Sequence, residues 1–147
     1  MPDKKDYITP DISLIGAEHI RKYRETNGEV GYLWNGAPCL ILTTKGRRSG
    51  QVRDSALICN FDGDNCVIVG SMGGAPKHPQ WYLNLTADPN VTVQVKGERF
   101  PAIARTAEGA ERDRLWKLMC EVWPNYDQYQ ERTTRRIPVV VLEPQKS

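Results

Sequence analysis

The sequence lacks any run of about 18 consecutive apolar residues, which is the length that a transmembrane helix requires. Its first residues, MPDKKDYITPD, also lack the apolar core and the cleavage signature of a secretory signal peptide. The sequence therefore predicts a cytoplasmic protein without a transmembrane segment.

Residues that bind metals or form disulfides are sparse. The chain has four cysteines and two histidines, namely Cys39, Cys59, Cys66, Cys120, His19 and His78. The cysteines lie singly and no CxxC motif occurs, so we expect buried free thiols and no metal site. Paired glutamates and a Ser-His-Asp arrangement are missing as well, so no catalytic side chain is evident.

An excess of one charge is also missing. The 20 lysines and arginines nearly balance the 18 aspartates and glutamates, which gives a formal net charge of +2. A nucleic-acid-binding domain is usually strongly basic, so we expect no nucleic-acid partner. Positive charge in this chain must act locally. With 39% apolar and 26% charged residues, the composition is that of an ordinary globular domain.

What the sequence does contain begins with an amphipathic segment. Asp11 is placed to cap a helix over about residues 12–26, and Asn27-Gly28 supplies a left-handed stop. We expect residues 1–27 to form a tail and this helix, and residues 28–147 to form a single domain. The helix either packs on that domain or makes peripheral contact with the inner face of the membrane.

Six segments show the alternating or continuous apolar pattern of β-strands: 39–43, 52–60, 66–69, 91–95, 99–105 and 139–142. Short turns such as DGDN at 62–65 join several of them, which favours antiparallel pairing. Pro101 predicts that the fifth strand lies at an edge of the sheet. The sequence predicts an α+β fold, a six-stranded antiparallel barrel-like sheet surrounded by helices.

The segments between the strands carry helix signals. One helix opens at Pro79, and a later one ends before Pro124. The residues NYDQ at 125–128 have the spacing of a capping box with Asn125 as the N-cap. A last short helix would therefore carry Tyr126 and Tyr129 side by side.

The stretch TTKGRRSGQVR, residues 43–53, concentrates positive charge around two glycines. Its cations are Lys45, Arg47, Arg48 and Arg53. The arginines offer forked donors suited to phosphate or carboxylate oxygens, and Gly46 and Gly50 let the backbone turn sharply and approach a ligand. The alternative is a hairpin tip that is merely solvated.

The stretch GSMGGAPKHPQWYLN, residues 70–84, joins small residues to the start of a helix. Free amides there, together with Lys77, favour an anion. Trp81 either belongs to the core or presses on a flat ring, and Ser71 either contacts a ligand or stabilises the turn. His78 either makes a hydrogen bond at the helix start or donates a proton.

The stretch WPNYDQY, residues 123–129, places three aromatic residues beside a proline. They form either a small separate core or the lining of a pocket that stacks on a planar substrate. A cofactor that carries the chemistry itself would explain why so many binding residues accompany no evident catalytic side chain.

Together these three stretches resemble the deazaflavin-dependent nitroreductase family. The similarity rests on APCLILTTKGRRSGQVR, DGDNCVIVGSMGGAPKHPQWYLNLTADPNVTVQV and WPNYDQYQERTTRRIPVVVLEP, and it covers residues 28–144. The resemblance implies a small split β-barrel of the kind that also binds flavin mononucleotide. It also implies coenzyme F420, a 5-deazaflavin with a phospholactate arm and an oligoglutamate tail.

The resemblance also implies which residues bind that cofactor. Its phosphate and carboxylates would fall to Arg47, Arg48 and Arg53, assisted by Lys45 and Lys77. The further implied contacts are Gly50, Val52, Asp54, Ser55, Ser71, Met72, His78, Trp81 and Asn84. Main-chain groups from Val52 to Ser55 would reach the polar edge of the ring, and the other side chains would border it.

The implied reaction is hydride transfer from C5 of the reduced deazaflavin to a planar, electron-poor acceptor, which is a quinone, an activated alkene or a nitroaromatic compound. The positions that match the acceptor pocket of relatives are Ile58, Trp123, Tyr126 and Tyr129. The two tyrosines would position the acceptor, and either Tyr126 or solvent would supply a proton.

The chain departs from the family pattern at three of these positions. Met72 replaces a lysine of some members, and Ile58 and Trp123 replace tyrosines. The resemblance therefore favours quinone or enone reduction over the activation of bicyclic nitroimidazoles. Two alternatives remain, a flavin mononucleotide oxidoreductase on the same barrel and a non-catalytic F420 carrier. The number of arginines favours the longer anionic tail, and the chain is expected to be a monomer or a homodimer.

Overall fold

The computed structural model describes residues 7–145, which form seven strands and four helices. The strands are β1 (Leu33–Trp34), β2 (Ala37–Lys45), β3 (Val52–Asp62), β4 (Asn65–Val69), β5 (Asn90–Val95), β6 (Glu98–Thr106) and β7 (Val139–Pro144). The helices are α1 (Gly16–Glu25), α2 (Gln80–Ala87), α3 (Gly109–Val122) and α4 (Asn125–Glu131), and a short 3-10 turn spans Met72–Gly74.

The sheet closes on itself as a six-stranded antiparallel barrel. Its strands follow the order β2-β3-β4-β7-β6-β5, and β5 pairs again with β2, for example Val93 with Leu42. The two-residue strand β1 adds a short hairpin to β2. Closure protects the strand edges, which would otherwise expose unpaired backbone groups. The predicted α+β barrel is confirmed.

Several strands are apolar on both faces because they separate two cores. In β7, Val140 and Leu142 pack inside the barrel, whereas Val139 and Val141 pack against α3 and α4. All four side chains are buried. A strand that is covered on both faces has no polar side, which explains the continuous apolar run at 139–142.

Helix α1 packs against the outside of the barrel. The hydroxyl of Tyr23 donates to the carbonyl of Cys39 at 2.9 Å and accepts from the N–H of Lys96 at 2.8 Å. Arg24 pairs with Asp54 of β3 at 3.1 Å. The helix therefore packs on the domain, as one of the two predicted alternatives had it. None of the helices formed by residues 7–145 combines the length and the hydropathy needed to cross a bilayer.

Pro101 does not mark an edge strand, and that prediction was wrong. β6 pairs with β5 on one side, where Thr92 lies opposite Pro101, and with β7 on the other. The β6–β7 pairing runs only from Ala102 onward. The missing N–H of Pro101 therefore falls at the end of that ladder, where it disrupts no regular pair.

The start of α1 also differs from the prediction. The helix begins at Gly16, and Asp11 does not cap it. The Asp11 carboxylate instead accepts the N–H of Ser13 at 2.9 Å in a local turn. Aspartate side chains form such turns readily. A carboxylate that accepts the N–H of Ser13 in the turn is not available to cap the helix.

The predicted capping box at 125–128 is likewise absent. Pro124 occupies the N-cap position of α4, and Asn125 is the first helical residue. The amide of Asn125 accepts the N–H of Ile8 and donates to the carbonyl of Ile8, each at 2.7 Å. Because Asn125 is fully buried, this pair of bonds fastens the segment before α1 to α4.

The thiols lie within or against the hydrophobic clusters of the protein. Cys39, Cys59 and Cys66 are buried free thiols, and Cys120 is half-buried on α3. Burial raises the pKa of Cys39 to about 12 and that of Cys66 to about 11. Within residues 7–145 no three metal-ligating side chains cluster.

Candidate functional site

Two pockets adjoin on one side of the barrel and share the indole of Trp81. The first, which we call the aromatic cavity, has a volume of about 300 Å³. It is lined by Ile15, Gly16, His19, Trp34, Cys39, Ala56, Leu57, Ile58, Val69, Ser71, Met72, Gly73, Pro79, Trp81, Trp123, Tyr126 and Tyr129. It lies between the barrel, α1 and α4 and is mainly apolar.

The second pocket, which we call the cationic groove, has a volume of about 460 Å³. It is lined by Gly46, Arg47, Arg48, Ser49, Arg53, Ser55, Gln80, Trp81 and Asn84. Ser55 lines the groove and its neighbour Ala56 lines the cavity. The two pockets therefore meet along β3 as well as at Trp81.

The loop that carries the arginines is a tight hairpin between β2 and β3. The N–H of Gly46 donates to the carbonyl of Gln51 at 2.7 Å, and the N–H of Gly50 donates to the carbonyl of Gly46 at 2.9 Å. Gly50 has φ of +73°, and a Cβ at Gly46 would lie 2.8 Å from the Ser49 hydroxyl. Glycine suits both positions because it has no Cβ.

Arg47 is held against α2 by polar side chains. Its guanidinium donates to the side-chain oxygens of Asn84 and Gln80, each at 2.9 Å. Asn84 is buried, accepts the Arg47 N–H at 3.2 Å, and donates to the Thr44 hydroxyl at 3.3 Å. These contacts set the direction of the guanidinium and leave its charge without a counterion.

The three arginines of the groove pair with no carboxylate within residues 7–145. Several arginines elsewhere do pair with a carboxylate: Arg105 lies 2.6 Å from Glu111, and Arg114 lies 3.0 Å from Asp62. Three forked cations in one concave surface favour a ligand with several anionic oxygens. The groove is therefore suited to phosphate and carboxylate groups.

Arg135 holds the 70–78 loop that follows β4. Its guanidinium donates to the carbonyls of Ser71 at 2.7 Å, Ala75 at 2.8 Å and Gly70 at 3.1 Å. It also lies 3.1 Å from Nδ1 of His78. Burial, and then the charge of Arg135, lower the pKa of His78, which keeps the ring neutral and able to accept that bond.

The same loop passes through an unusual turn at the mouth of the cavity. Met72, Gly73 and Gly74 have φ values of +47°, +65° and +85°. A Cβ on Gly74 would lie 2.6 Å from the carbonyl oxygen of Tyr129. The turn brings Ser71 and Met72 to the cavity wall, and Arg135 holds it there.

The aromatic side chains of the cavity are packed edge against face. The Tyr126 and Tyr129 rings are 6.1 Å apart at 76°, and the Trp34 and Trp123 rings are 5.4 Å apart. The Trp123 indole N–H donates to the Tyr129 hydroxyl at 3.4 Å. Burial raises the pKa of both tyrosines, that of Tyr126 well above its ordinary value. Their hydroxyls therefore stay protonated and can donate hydrogen bonds.

Most of the residues predicted from the sequence line one of the two pockets. Arg47, Arg48, Arg53, Ser55 and Asn84 line the groove, Ile58, Ser71, Met72, Trp123, Tyr126 and Tyr129 line the cavity, and Trp81 lines both. Predicted residues that line neither are Lys45, Gly50, Val52, Asp54, Lys77 and His78. Asp54 faces α1, where it pairs with Arg24 at 3.1 Å, and it also accepts the hydroxyl of Thr43 on β2 at 2.5 Å. His78 packs on Tyr82 with ring centroids 4.9 Å apart.

Other residues of the site were not predicted. Helix α1 contributes Gly16 and His19 to the cavity, Ile15 just before the helix contributes as well, and Arg135 anchors the loop beside it. An amphipathic pattern marks the buried side of α1 but does not tell whether that side meets a core or a cavity. The RTTRR run at 132–136 was the available signal for Arg135.

Comparison with known proteins identifies one family. The family model for the F420H(2)-dependent quinone reductase matches residues 16–144. An F420H(2)-dependent quinone reductase of Mycobacterium tuberculosis strain H37Rv is 44% identical over 128 residues, which cover 84% of this chain and 86% of that protein.

Two solved structures agree in both fold and sequence. A structure described as an F420-H2 dependent reductase (FDR-A) has a TM-score of 0.68 and 42% identity, and the match covers 72% of this chain and 94% of that one. A second, described as a domain-swapped dimer, has a TM-score of 0.71 and 38% identity, with 86% and 92% covered.

Proposed function

The chain belongs to the F420H(2)-dependent quinone reductase family and is an F420-dependent reductase, and from that premise we propose that its acceptor is a quinone. The observation that carries the proposal is the meeting of two unlike pockets at Trp81. One suits an anionic tail and the other suits a flat, uncharged ring. A reductase must hold both within reach of each other.

The residues of the groove fit coenzyme F420, whose flat ring is joined to a phosphate and glutamate carboxylates. Arg47, Arg48 and Arg53 pair with no carboxylate within residues 7–145 and would hold those anions. Ser71 and Trp81 would border the ring, where the groove meets the cavity. When bound in its reduced form, the cofactor supplies a hydride.

The aromatic cavity would hold the acceptor. Among residues 7–145, no aspartate, glutamate, lysine or arginine lines it, so it favours an uncharged ring. Ile58, Trp123 and Tyr129 would exclude water and bracket that ring. The Tyr126 hydroxyl stays protonated and would donate a hydrogen bond to the acceptor oxygen, which gains negative charge as it is reduced.

Binding of the cofactor is tested by titrating the protein with oxidised coenzyme F420 and following its fluorescence, with flavin mononucleotide as the parallel control. Micromolar binding of the deazaflavin alone supports the assignment of the groove. Preference for the flavin contradicts it and favours a flavin mononucleotide enzyme on the same barrel.

The choice of acceptor is tested with reduced F420 and three probes, menadione, cyclohexenone and a nitroimidazole. Fastest oxidation of the cofactor with menadione supports quinone reduction. Faster turnover of either other probe contradicts that choice. Tight binding of F420 without oxidation by any acceptor would indicate a non-catalytic carrier.

We also propose that the segment just before α1 brings the cavity to a membrane surface, where lipophilic quinones are found. Ile12 and Ile15 are 63% and 50% exposed, and Ile15 lines the cavity. Sedimentation with anionic lipid vesicles should recover the protein, and the double variant Ile12→Ser and Ile15→Ser should lose this binding. Phe61→Ser, on the far part of β3, is the control. Equal sedimentation of all three proteins contradicts the proposal.

We propose a small molecule, and no nucleic acid, as the partner of the arginines, because they line one groove in a chain whose net charge is +2. A salt-sensitive affinity for an oligonucleotide would contradict this. One solved relative is described as a domain-swapped dimer, and light scattering will distinguish a monomer from a homodimer for this chain.

A further inference from the structure

His19 is the histidine that lines the aromatic cavity. It lies on α1, its side chain is 5% exposed, and its Nε2 is 2.8 Å from the carbonyl oxygen of Gly31. A carbonyl oxygen only accepts hydrogen bonds, so Nε2 must carry a proton. The other ring nitrogen, Nδ1, is therefore the one that exchanges a proton with its surroundings.

The other titratable side chains of the cavity hold their protons tightly. Burial raises the pKa of Cys39 to about 12. Burial is also the main cause that raises the pKa of Tyr126 and Tyr129. In the part of the chain that the structure describes, no carboxylate, lysine or arginine lines the cavity. Histidine differs from all of these because its side chain ordinarily exchanges a proton near neutral pH.

The groups around the His19 ring do not compete with it for that role. The charged residues of its own helix turn are Glu18, Arg21 and Lys22, which pair with one another at the surface. Tyr23 faces the ring at 6.5 Å between centroids, and burial raises the pKa of Tyr23 to about 12. From the segment after α1, the group that faces the ring is the uncharged carbonyl of Gly31.

We propose that His19 is the proton donor to the acceptor, an inference that rests on the quinone reductase function proposed above. The acceptor takes up the hydride that the reduced cofactor supplies, and its carbonyl oxygen acquires a negative charge. The Nδ1–H bond of cationic His19 then breaks, and the proton forms an O–H bond that completes the hydroquinone. The imidazole would then regain its proton from solvent, which would receive the proton that the bound cofactor gives up when it is oxidised.

The competing explanation is that His19 only fastens the loop after α1 through Gly31. The variant His19→Gln separates the two roles. The side-chain amide of glutamine can donate the same hydrogen bond to the Gly31 carbonyl, but it does not titrate. Binding of oxidised F420, measured by fluorescence, should equal that of the wild type and so report an intact pocket.

The first measurement is a pH titration of the protein without cofactor, followed by ¹⁵N NMR of its imidazoles. The chain has two histidines, so the spectrum of His78→Gln identifies the signal of His19. We expect a neutral ring that is protonated on Nε2 and takes up a second proton on Nδ1. A ring protonated on Nδ1 alone, or one that does not titrate between about pH 5 and 8, overturns the inference.

The second measurement is the rate of menadione reduction by reduced F420 over the same pH range. In the wild type the rate should fall as the pH rises through the value at which NMR shows His19 losing its proton. In His19→Gln the rate should be about 100-fold lower at the acidic end, and that pH dependence should vanish.

The possible failures are distinguishable. A His19→Gln variant with the rate and the pH profile of the wild type overturns the role of His19 and leaves quinone reduction standing. A wild-type protein that binds F420 and reduces no menadione overturns the proposed function itself.

Discussion

The aromatic cavity and the cationic groove share the wall of Trp81 but are built in different ways. Trp123, Tyr126 and Tyr129 of the cavity also belong to a hydrophobic core, and each is at most 9% exposed. The arginines of the groove project from an exposed hairpin and pair with no carboxylate within residues 7–145. The aromatic cavity is part of the packed interior, whereas the cationic groove is formed by exposed side chains at the surface.

This difference separates two kinds of recognition. A groove that recognises charge needs only side chains that reach the ligand, and their removal leaves the fold intact. A cavity that recognises shape needs walls held in position by packing, so its residues serve stability and function together. Substitutions should therefore divide into those that change binding alone and those that also change stability.

The largest effect is expected from Trp123→Ala, which tests whether the cavity wall is core. The indole is 2% exposed and packs on Trp34. Its removal leaves a void, so the free energy of unfolding should fall by about 3–5 kcal/mol. Chemical denaturation measures this quantity. A loss below about 1 kcal/mol would show that the cavity wall does not stabilise the fold. That result would contradict the proposed difference between the cavity and the groove.

The next largest effect is expected from Arg53→Ala, which tests the groove. Loss of one charge-assisted hydrogen bond, worth about 1.5–3 kcal/mol, should weaken F420 binding by about tenfold to a hundredfold. The free energy of unfolding should stay within about 0.5 kcal/mol of the wild type. Fluorescence titration and denaturation measure the two quantities.

The matched control for that experiment is Arg99→Ala. Arg99 is an exposed arginine of β6 that lines neither pocket. Its removal takes away the same charge and should change neither affinity nor stability. Equal F420 affinity in the two variants would remove Arg53 from the binding site.

A smaller effect is expected from Tyr126→Phe, which separates function from packing within the cavity. Phenylalanine keeps the ring and removes only the hydroxyl that would contact the acceptor. Turnover of menadione should fall about 3- to 10-fold, as for the loss of one uncharged hydrogen bond, with F420 affinity unchanged. An unchanged rate would reduce Tyr126 to a packing residue.

The smallest effect concerns the loop between the pockets. Burial, and then Arg135, lower the pKa of His78 below its ordinary 6.5, so the unfolded chain binds this proton more readily than the folded one. The contribution of His78 to stability is therefore full above about pH 6.5 and is lost as the pH falls below that value. In denaturation experiments His78→Gln should lose less stability on acidification than the wild type. Parallel losses would contradict this role.

Much of the fold was predictable because its signals are local. Strand patterns, short turns and the helix breaks at proline lie within a few residues of one another. The arginines of the groove were predictable for the same reason, since Arg47, Arg48 and Arg53 are neighbours in the sequence. The helix-capping predictions for Asp11 and Asn125 were wrong because each side chain forms a hydrogen bond with a different backbone group, the N–H of Ser13 and the N–H of Ile8 respectively.

The rest of the site depends on contacts between distant parts of the chain. Arg135 donates a hydrogen bond to the carbonyl of Ser71, which lies 64 positions earlier in the sequence, and no local pattern in either segment predicts that bond. Arg53 and Asp54 are neighbours on β3, yet Arg53 lines the groove while Asp54 pairs with Arg24 of α1. Alternation along a strand predicts that the two side chains point to opposite faces of the sheet, but only closure of the barrel decides which face borders the groove.

The bonds between Asn125 and Ile8 bear on how this enzyme can be trimmed and tagged. Deleting the chain past residue 8 would leave the buried amide of Asn125, beside Tyr126, without both partners, which should lower the free energy of unfolding by about 1–3 kcal/mol for each unsatisfied group. A shortened enzyme would therefore be less stable and would handle its acceptor poorly, while the distant cationic groove would still bind the cofactor. Affinity tags belong at the other end of the chain.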